Sequence, residues 1–193
     1  MKLTTTAVLD ELARGVLGSK LLFEQGFEYT RGTFHRELPG GLRHLITLDL
    51  NRAKGAFYVL LGVNAGVLSG TVPTDQGGAY HSCYLSPGGV VQKPAGFPAT
   101  TSDTTAASLE RVVACCREHA LPWLQCYATL SAFADALPET HDFFKGRLLL
   151  ADGQSQRAKK WLHRYRDRLL EMPASPDVAA AVRETDLLLQ QCE

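Results

Sequence analysis

The sequence predicts an α+β protein: an antiparallel meander of three to four strands, an N-terminal helix on one face, and a C-terminal helical hairpin or bundle. Two observations predict it. Apolar residues alternate through residues 33–64, and two turn signals interrupt the alternation. Apolar residues recur at helical spacing over residues 6–24, and again from residue 101 towards the end of the chain. Strands bounded by helices in this way are typical of α+β folds.

The meander contains three alternating runs, FHREL, LRHLITLDLN and AFYVLLGVN, separated by PGG and RAKG. If Leu38 pairs with Leu42, and Asn51 with Ala56, both turns sort the side chains between the two faces in the same way. The face predicted to be buried contains Phe34, Leu38, Leu42, Ile46, Leu48, Leu50, Phe57, Val59, Leu61 and Val63. The opposite, outer face contains His35, Glu37, Arg43, Leu45, Thr47, Asp49, Tyr58, Leu60, Gly62 and Asn64.

The N-terminal segment predicts an amphipathic helix over residues 6–24, which Gly26 would stop. We expect its apolar stripe to cover the buried face of the sheet.

Further along, AYHSCYLS predicts a fourth strand with Tyr80, Ser82 and Tyr84 on one side and His81, Cys83 and Leu85 on the other. Residues 86–101, rich in Pro and Gly, predict an irregular loop, either a binding loop or a connector. We expect a connector, because only Lys93 in it is chemically distinctive.

The C-terminal part predicts a capped helix from residue 101 to about 120, a short helix near 130–137, a hairpin of helices over 140–151 and 154–171, and a last helix over 175–191. Gly153 and Ala158, five positions apart, resemble the turn of a tetratricopeptide unit. A single unit of this kind excludes a solenoid. We divide the chain into a sheet domain, 1–138, and a helical appendage, 139–193, packed on it as one compact unit.

The composition narrows the classes of function. Lys plus Arg equals Asp plus Glu, at 20 each, so no overall positive field attracts nucleic acid or an anionic membrane. Asp10, Glu11 and Arg14 interrupt the region that a signal peptide would keep apolar, and no long apolar run follows. The five cysteines form an odd set without disulfide-framework spacing. We therefore expect a cytoplasmic protein with free thiols and no membrane contact.

Candidate chemical groups are few. The common nucleotide-binding, hydrolase, zinc-protease and calcium motifs are absent from the sequence. Cys115 and His119 have the spacing of half a zinc site, and His81 and Cys83 share one side of a strand, but neither pair has the remaining partners that its chemistry needs. We interpret both pairs as structural and expect no catalytic residue, metal or cofactor. Trp123 and Trp161 are interpreted as core anchors because each lies among apolar neighbours.

One helix carries a basic stripe, Arg157, Lys160, Arg164 and Arg168. Such a stripe could dock an acidic partner or RNA. Runs of charge are usually solvated surfaces, and Glu184 and Asp186 on the last helix are candidate counter-ions. We expect a structural surface and no nucleic-acid site.

The order of several segments is similar to the bacterial domain-of-unknown-function family numbered 4304. Gly26-Phe27, Phe34 to Arg36, the strand FYVLLGVN and the helix end LPWL carry the resemblance, over about the first two-thirds of the chain. The chain differs from the family at Asp49-Leu50-Asn51-Arg52. The resemblance implies a place in toxin and immunity gene neighbourhoods, and it brings no catalytic residues.

These observations predict a non-enzymatic protein-binding module, a bacterial cytosolic immunity protein that occludes a cognate toxin. The expected recognition surface is on the outer face of the sheet and consists of Arg43, Leu45, Thr47, Asp49, Tyr58, Leu60 and Asn64. In the alternative arrangement, the later helices cover this face and make Leu45 and Leu60 part of the core. Two other functions stay open: a small enzyme or ligand-binding protein with a cleft near His81 and Cys83, and an RNA-associated protein that uses the basic helix.

Overall fold

The computed structural model describes residues 4–68 and 81–193, which form two compact units. The first contains residues 4–38, 43–64 and 81–126, and the second contains residues 39–42, 65–68 and 127–193. The predicted division after residue 138 assigned residues 127–138 to the sheet domain. In the structure they group with the C-terminal helices instead.

The first unit is an antiparallel sheet with helices on one face. In the described residues its strands are β1 (Glu28–Thr30), β2 (Thr33–Leu38), β3 (Leu42–Asn51), β4 (Ala56–Ala65), β5 (His81–Ser86) and β6 (Gly89–Val91), paired in chain order, and β7 (Phe97–Pro98), which pairs with β4. The helices are α1 (Thr6–Ala13, continued by π-helical turns over Arg14–Leu22), α2 (Ser102–Cys115, continued likewise over Cys116–Ala120) and α3 (Leu121–Gln125). The predicted α+β class is confirmed, with more strands than the three to four expected.

Side-chain pairs between β2 and β3 fix the register of the first turn. Arg43 Nε donates to Glu37 Oε1 over 2.6 Å, and the hydroxyl oxygens of Thr33 and Thr47 lie 3.0 Å apart. Both pairs belong to the register in which Leu38 lies opposite Leu42, so this part of the prediction is confirmed. Opposite-charge and Thr–Thr pairs across neighbouring strands each add modest stability to a sheet.

The predicted buried face forms the core of the first unit. Eight of its ten residues are buried, and Leu38 and Leu50 are partly exposed. From the helical side, Leu9 and Leu17 of α1 are buried, and the Phe23 ring lies 6.0 Å from that of Phe34. The N-terminal helix therefore covers the face that the alternation pattern assigned to it.

Two polar residues also lie on this face, although the sequence analysis gave them no role there. Arg36 and His44 share the alternation of the buried positions, and His44 is completely buried. One Arg36 nitrogen lies 3.1 Å from His44 Nδ1, another donates to the Gln25 carbonyl over 3.0 Å, and the guanidinium lies 4.8 Å from the centre of the Phe27 ring. Burial lowers the pKa of Arg36. A polar cluster thus replaces apolar packing at this edge of the core.

Three short strands of the structure, β1, β6 and β7, were not predicted from the sequence. β1 and β2 form a hairpin whose two turn residues, Arg31 and Gly32, both have positive φ, 48° and 83°. Such turns favour Asn-Gly or Asp-Gly, so Arg-Gly lacks the usual signal. β6 and β7 lie within residues 86–101, which we had expected to be irregular, and the Pro87-Gly88 turn connects β6 to β5. The fourth predicted strand is confirmed from His81 onwards, and Tyr80 lies outside the described residues.

The second unit is a series of helices, each packed against the next: α4 (Leu130–Ala136), α5 (Asp142–Ala151), α6 (Ser155–Leu170) and α7 (Pro176–Gln190). Ser and Thr hydroxyls cap two of them, since Thr129 accepts from Ala132 N and Ser175 accepts from Val178 N, both over 3.1 Å. The predicted helical hairpin is confirmed as α5 and α6. Gly153 lies between them with a φ of 74°, a backbone conformation that favours glycine.

Candidate functional site

The outer face of the sheet extends further than the sequence predicted. Strand pairing places Tyr84 of β5 opposite Leu60 of β4, and Val91 of β6 opposite Tyr84. All three side chains are partly exposed. Because residues paired in this way point to the same side of the sheet, the structure forms a row of aromatic and aliphatic side chains across three strands. The alternation pattern had already placed Tyr84 on one side of its strand, but only the pairing identifies its neighbours.

The seven predicted recognition residues differ in exposure. Arg43 and Asp49 are exposed, whereas Thr47, Tyr58, Leu60 and Asn64 are partly exposed. Leu45 is only 7% exposed and so belongs to the packed interior. Arg43 forms an ion pair with Glu37, which is outside this set, and both side chains are about half exposed. The surface available for binding therefore contains two exposed charged residues, Arg43 and Asp49, and the partly exposed Tyr58 and Leu60.

Two neighbours restrict the Tyr58 ring. The Lys54 ammonium lies 5.9 Å from the ring centre. A Cβ atom added at Gly96 would lie 3.2 Å from Tyr58 Cε1, so the residue before β7 lies directly beside the ring. A restrained aromatic side chain loses little conformational entropy on binding, which favours Tyr58 as the centre of an interface.

His81 and Cys83 lie on the helix-covered face. The His81 ring stacks on Trp123, with centres 5.6 Å apart and an angle of 18° between the planes. Cys83 is 3% exposed, and burial raises the pKa of its thiol to about 12. Nucleophilic cysteines need the opposite change, a lowered pKa and access to substrate. This geometry argues against the alternative in which Cys83 attacks a substrate.

The stacked His81 has a testable effect on stability. Burial lowers the pKa of His81 in the folded state. As pH falls, the imidazole is therefore protonated at a higher pH in the unfolded chain than in the folded protein. The stabilising effect of the neutral ring is complete above the ordinary pKa of about 6.5 and declines as pH falls below it. We expect His81→Phe, which keeps an aromatic ring on Trp123, to reduce the loss of unfolding free energy between about pH 7 and pH 5. Urea titrations at several pH values measure this, with exposed His163→Phe as the control; an unchanged slope in His81→Phe would contradict it.

The remaining cysteines show no metal-binding arrangement. Within the described ranges, no group of three or more His, Cys, Asp and Glu side chains is placed to hold a metal ion. His119 Nε2 lies 3.7 Å from Glu118 Oε2, and burial raises the pKa of both Cys115 and Cys116. All five cysteines are free thiols in this structure.

The carboxylates that pair with the arginines of the basic stripe are not those expected on α7. Arg157 pairs with Asp135, and Arg164 lies 3.6 Å from both Glu139 and the buried Asp142. These acids lie on α4, on α5 and in the segment between them. Of the two expected acids on α7, Asp186 pairs with Arg166, which is outside the stripe, over 2.6 Å, and no ion pair involves Glu184 within the described residues. The stripe is largely neutralised, by a different set of carboxylates.

The described part of the first unit has two concave regions with the volume of a small-ligand site. A cavity of about 280 Å³ lies between the starts of α1 and β4 and the end of β7, lined by Thr5, Leu50, Arg52, Gly55 and Thr100. A wider groove of about 560 Å³ lies beside α1 and the β1–β2 turn, where the Tyr29 hydroxyl donates to Asp10 Oδ1 over 2.7 Å. This groove combines Asp10 and Glu11 with Arg14 and Arg31, so it has no excess charge. Neither region brings together an acid, a base and a nucleophile.

The fold and the exposed sheet face define an α+β protein with a candidate protein-binding surface. No model of a known protein family, no curated protein and no solved structure matches the chain. None of the helices in the described part of the chain has the length and apolar character needed to span a bilayer.

Proposed function

We propose that this chain is a non-enzymatic protein-binding module, a bacterial cytoplasmic immunity protein that binds and occludes a cognate toxin. The observation that carries the proposal is the outer sheet face, where Arg43 and Asp49 on β3 are exposed and Tyr58 and Leu60 on the neighbouring β4 are partly exposed. A desolvated aromatic and aliphatic centre with charged surroundings is the usual anatomy of a protein interface.

Two further observations support the proposal. Phe34 to Arg36 lie in β2 and Phe57 to Val63 lie in β4, so stretches that resemble the family numbered 4304 help to build this sheet. The buried, protonated thiol of Cys83 disfavours the enzymatic alternative. Occlusion requires a binding surface of standard size, about 800 Å² on each partner, which a sheet face of several strands can supply.

The experiment begins with the gene beside the one that encodes this chain. We expect it to encode the C-terminal domain of a secreted toxin, and we expect this chain to bind that domain and protect cells that express it. The double variant Tyr58→Ala/Asp49→Lys should weaken binding by about 100-fold or more, because it removes the proposed centre and reverses a flanking charge. Calorimetry measures the affinity, and thermal unfolding should show a nearly unchanged melting temperature.

The matched control is Phe23→Ala/Glu24→Lys, which also removes an exposed aromatic ring and reverses one negative charge, at the end of the N-terminal helix. It should bind like the wild type. Wild-type affinity in a folded Tyr58→Ala/Asp49→Lys variant would exclude the sheet face as the recognition surface. A neighbouring gene without a toxin domain would contradict the immunity assignment.

A further inference from the structure

The second unit has a cluster of cations and aromatic rings on α5 and α6, which we call the cationic–aromatic face. It contains Phe143, Lys145 and Arg147 of α5, and Lys160, Trp161, Arg164, Tyr165 and Arg168 of α6. On α6, Trp161, Arg164, Tyr165 and Arg168 are spaced by three and four residues, so they share one side of the helix. Sequence analysis interpreted Trp161 as a core anchor, but the ring is partly exposed.

Contacts within the face are continuous. Trp161 has three cations near its ring: Lys145 Nζ at 4.6 Å, Arg164 Cζ at 5.5 Å and Lys160 Nζ at 6.0 Å from the ring centre. Arg168 lies 5.6 Å from the centre of the Tyr165 ring. The Tyr165 and Phe143 ring centres are 5.0 Å apart, and Arg147 lies 5.6 Å from the Phe143 ring. Attraction between a cation and the face of a ring favours these side-chain positions.

A buried carboxylate forms ion pairs with two of the guanidinium groups. Asp142 is completely buried, with its Oδ2 3.1 Å from an Arg168 terminal nitrogen and 3.6 Å from Arg164 Nε. The two arginine side chains are themselves 44% and 51% exposed. Because Arg164 also lies 3.6 Å from Glu139, these two arginines face two carboxylates, and both guanidinium groups remain partly accessible at the surface. Guanidinium groups held in this way are suited to bidentate binding of carboxylates.

Three cations of the face are not neutralised. Within the described residues, Lys145, Arg147 and Lys160 take part in no ion pair, and each lies near an aromatic ring. Lys145 is only 5% exposed, so Arg147 and Lys160 are the two of these cations that a partner can reach. The arginines of the predicted basic stripe, in contrast, are paired with carboxylates. The excess charge therefore lies where the aromatic rings are, and not evenly along α6.

From this arrangement we propose that the cationic–aromatic face binds an acidic segment of a partner protein. Carboxylates of the segment contact Arg147, Lys160 and the exposed edge of Arg168, while apolar side chains between them pack on Trp161 and Tyr165. Arg, Trp and Tyr are the residue types that dominate binding energy in protein interfaces. The inference concerns the second unit, and it holds whether or not the sheet face binds a toxin.

An acidic protein fits this face better than a nucleic acid. A phosphate backbone needs a long row of uncompensated cations. Here Asp135 and Glu139, with side chains 61% and 77% exposed, lie beside Arg157 and Arg164 and would repel phosphates along the helix. A short acidic segment can contact the cations without passing these carboxylates.

Trp161 provides the test, because Trp123 is the other tryptophan of the chain and Trp123→Phe leaves Trp161 as the reporter. The probe is a synthetic peptide of about 12 residues in which Glu alternates with Leu and Phe, compared with the same peptide carrying Gln for Glu. We expect a saturable change in Trp161 fluorescence with the Glu peptide at about 50 mM salt, weaker at about 300 mM, and none with the Gln peptide.

The decisive variant is Arg147→Glu/Lys160→Glu, which reverses two cations without breaking an ion pair. It should weaken binding of the Glu peptide at least about tenfold. The matched control, Lys93→Glu/Arg183→Glu, makes the same change of charge outside the face and should bind within about twofold of the wild type. If circular dichroism shows that the reversal variant does not fold, Arg147→Gln/Lys160→Gln replaces it, with a smaller loss expected.

Three results would overturn the proposal. One is the absence of a saturable signal with the Glu peptide, and another is an equal loss of binding in the control variant. The third is tighter binding of an oligouridylate of about 12 nucleotides that disappears in Arg147→Glu/Lys160→Glu, which would identify a nucleic-acid site instead.

Discussion

Replacing Phe34 by Ala is expected to destabilise the first unit by about 3–5 kcal/mol. Phe34 is completely buried, and its ring lies 4.5 Å from the centre of Tyr29 and 6.0 Å from that of Phe23. Truncation removes contacts with the β1–β2 hairpin and with the end of the N-terminal helix together. Urea unfolding in a Trp161→Phe background measures the effect, because Trp123 then reports on the first unit.

Phe23→Ala provides the matched control for this prediction. This variant also truncates a phenylalanine, and its ring is a neighbour of Phe34, but Phe23 is 43% exposed. Its loss should cost less than about 2 kcal/mol, because water already covers much of the ring. Equal destabilisation by the two substitutions would show that burial on the helix-covered face is not the main contribution of Phe34.

Gly146→Ala is expected to destabilise the second unit, although Ala is the better helix former. A Cβ atom at Gly146 would lie 2.6 Å from both Cγ and Cδ2 of Leu162, which is completely buried. Overpacking of this kind costs about 1–3 kcal/mol, against a gain of about 0.5–1 kcal/mol in helix propensity. Fluorescence of Trp161 during urea unfolding, in a Trp123→Phe background, measures the net loss.

Two companion variants isolate the clash. Gly15→Ala lies in the N-terminal helix, where the added Cβ would have no atom within 4 Å apart from its chain neighbours and the backbone of its own helix, and it should stabilise the chain by about 0.5–1 kcal/mol. Leu162→Ala alone should cost about 2–5 kcal/mol, but combined with Gly146→Ala the total should be less than the sum of the two single effects. Strict additivity would show that the two side chains do not compete for the same space between α5 and α6.

The candidate sites could be predicted only in part. Alternation placed Arg43, Asp49, Tyr58 and Leu60 on one side of the meander, because the period of a strand is a local property of the backbone. It could not show that Leu45 is buried, since its burial depends on packing beyond its own strand. The same alternation also contained the signal for Arg36 and His44, which share the buried positions, but their polarity argued against a place in the core.

Local features of the sequence are enough to predict the α+β class, the helices and the register of β2 on β3. These follow from periodicity, turn residues and helix caps, which act over a few residues. The combination of charged and aromatic side chains on the helices, in contrast, depends on tertiary packing. The stripe arginines pair with Asp135, Glu139 and Asp142, and Trp161 lies at the surface among cations. The rotation of one helix against another depends on contacts such as Gly146 against Leu162, between residues distant in the chain, and no local pattern specifies it.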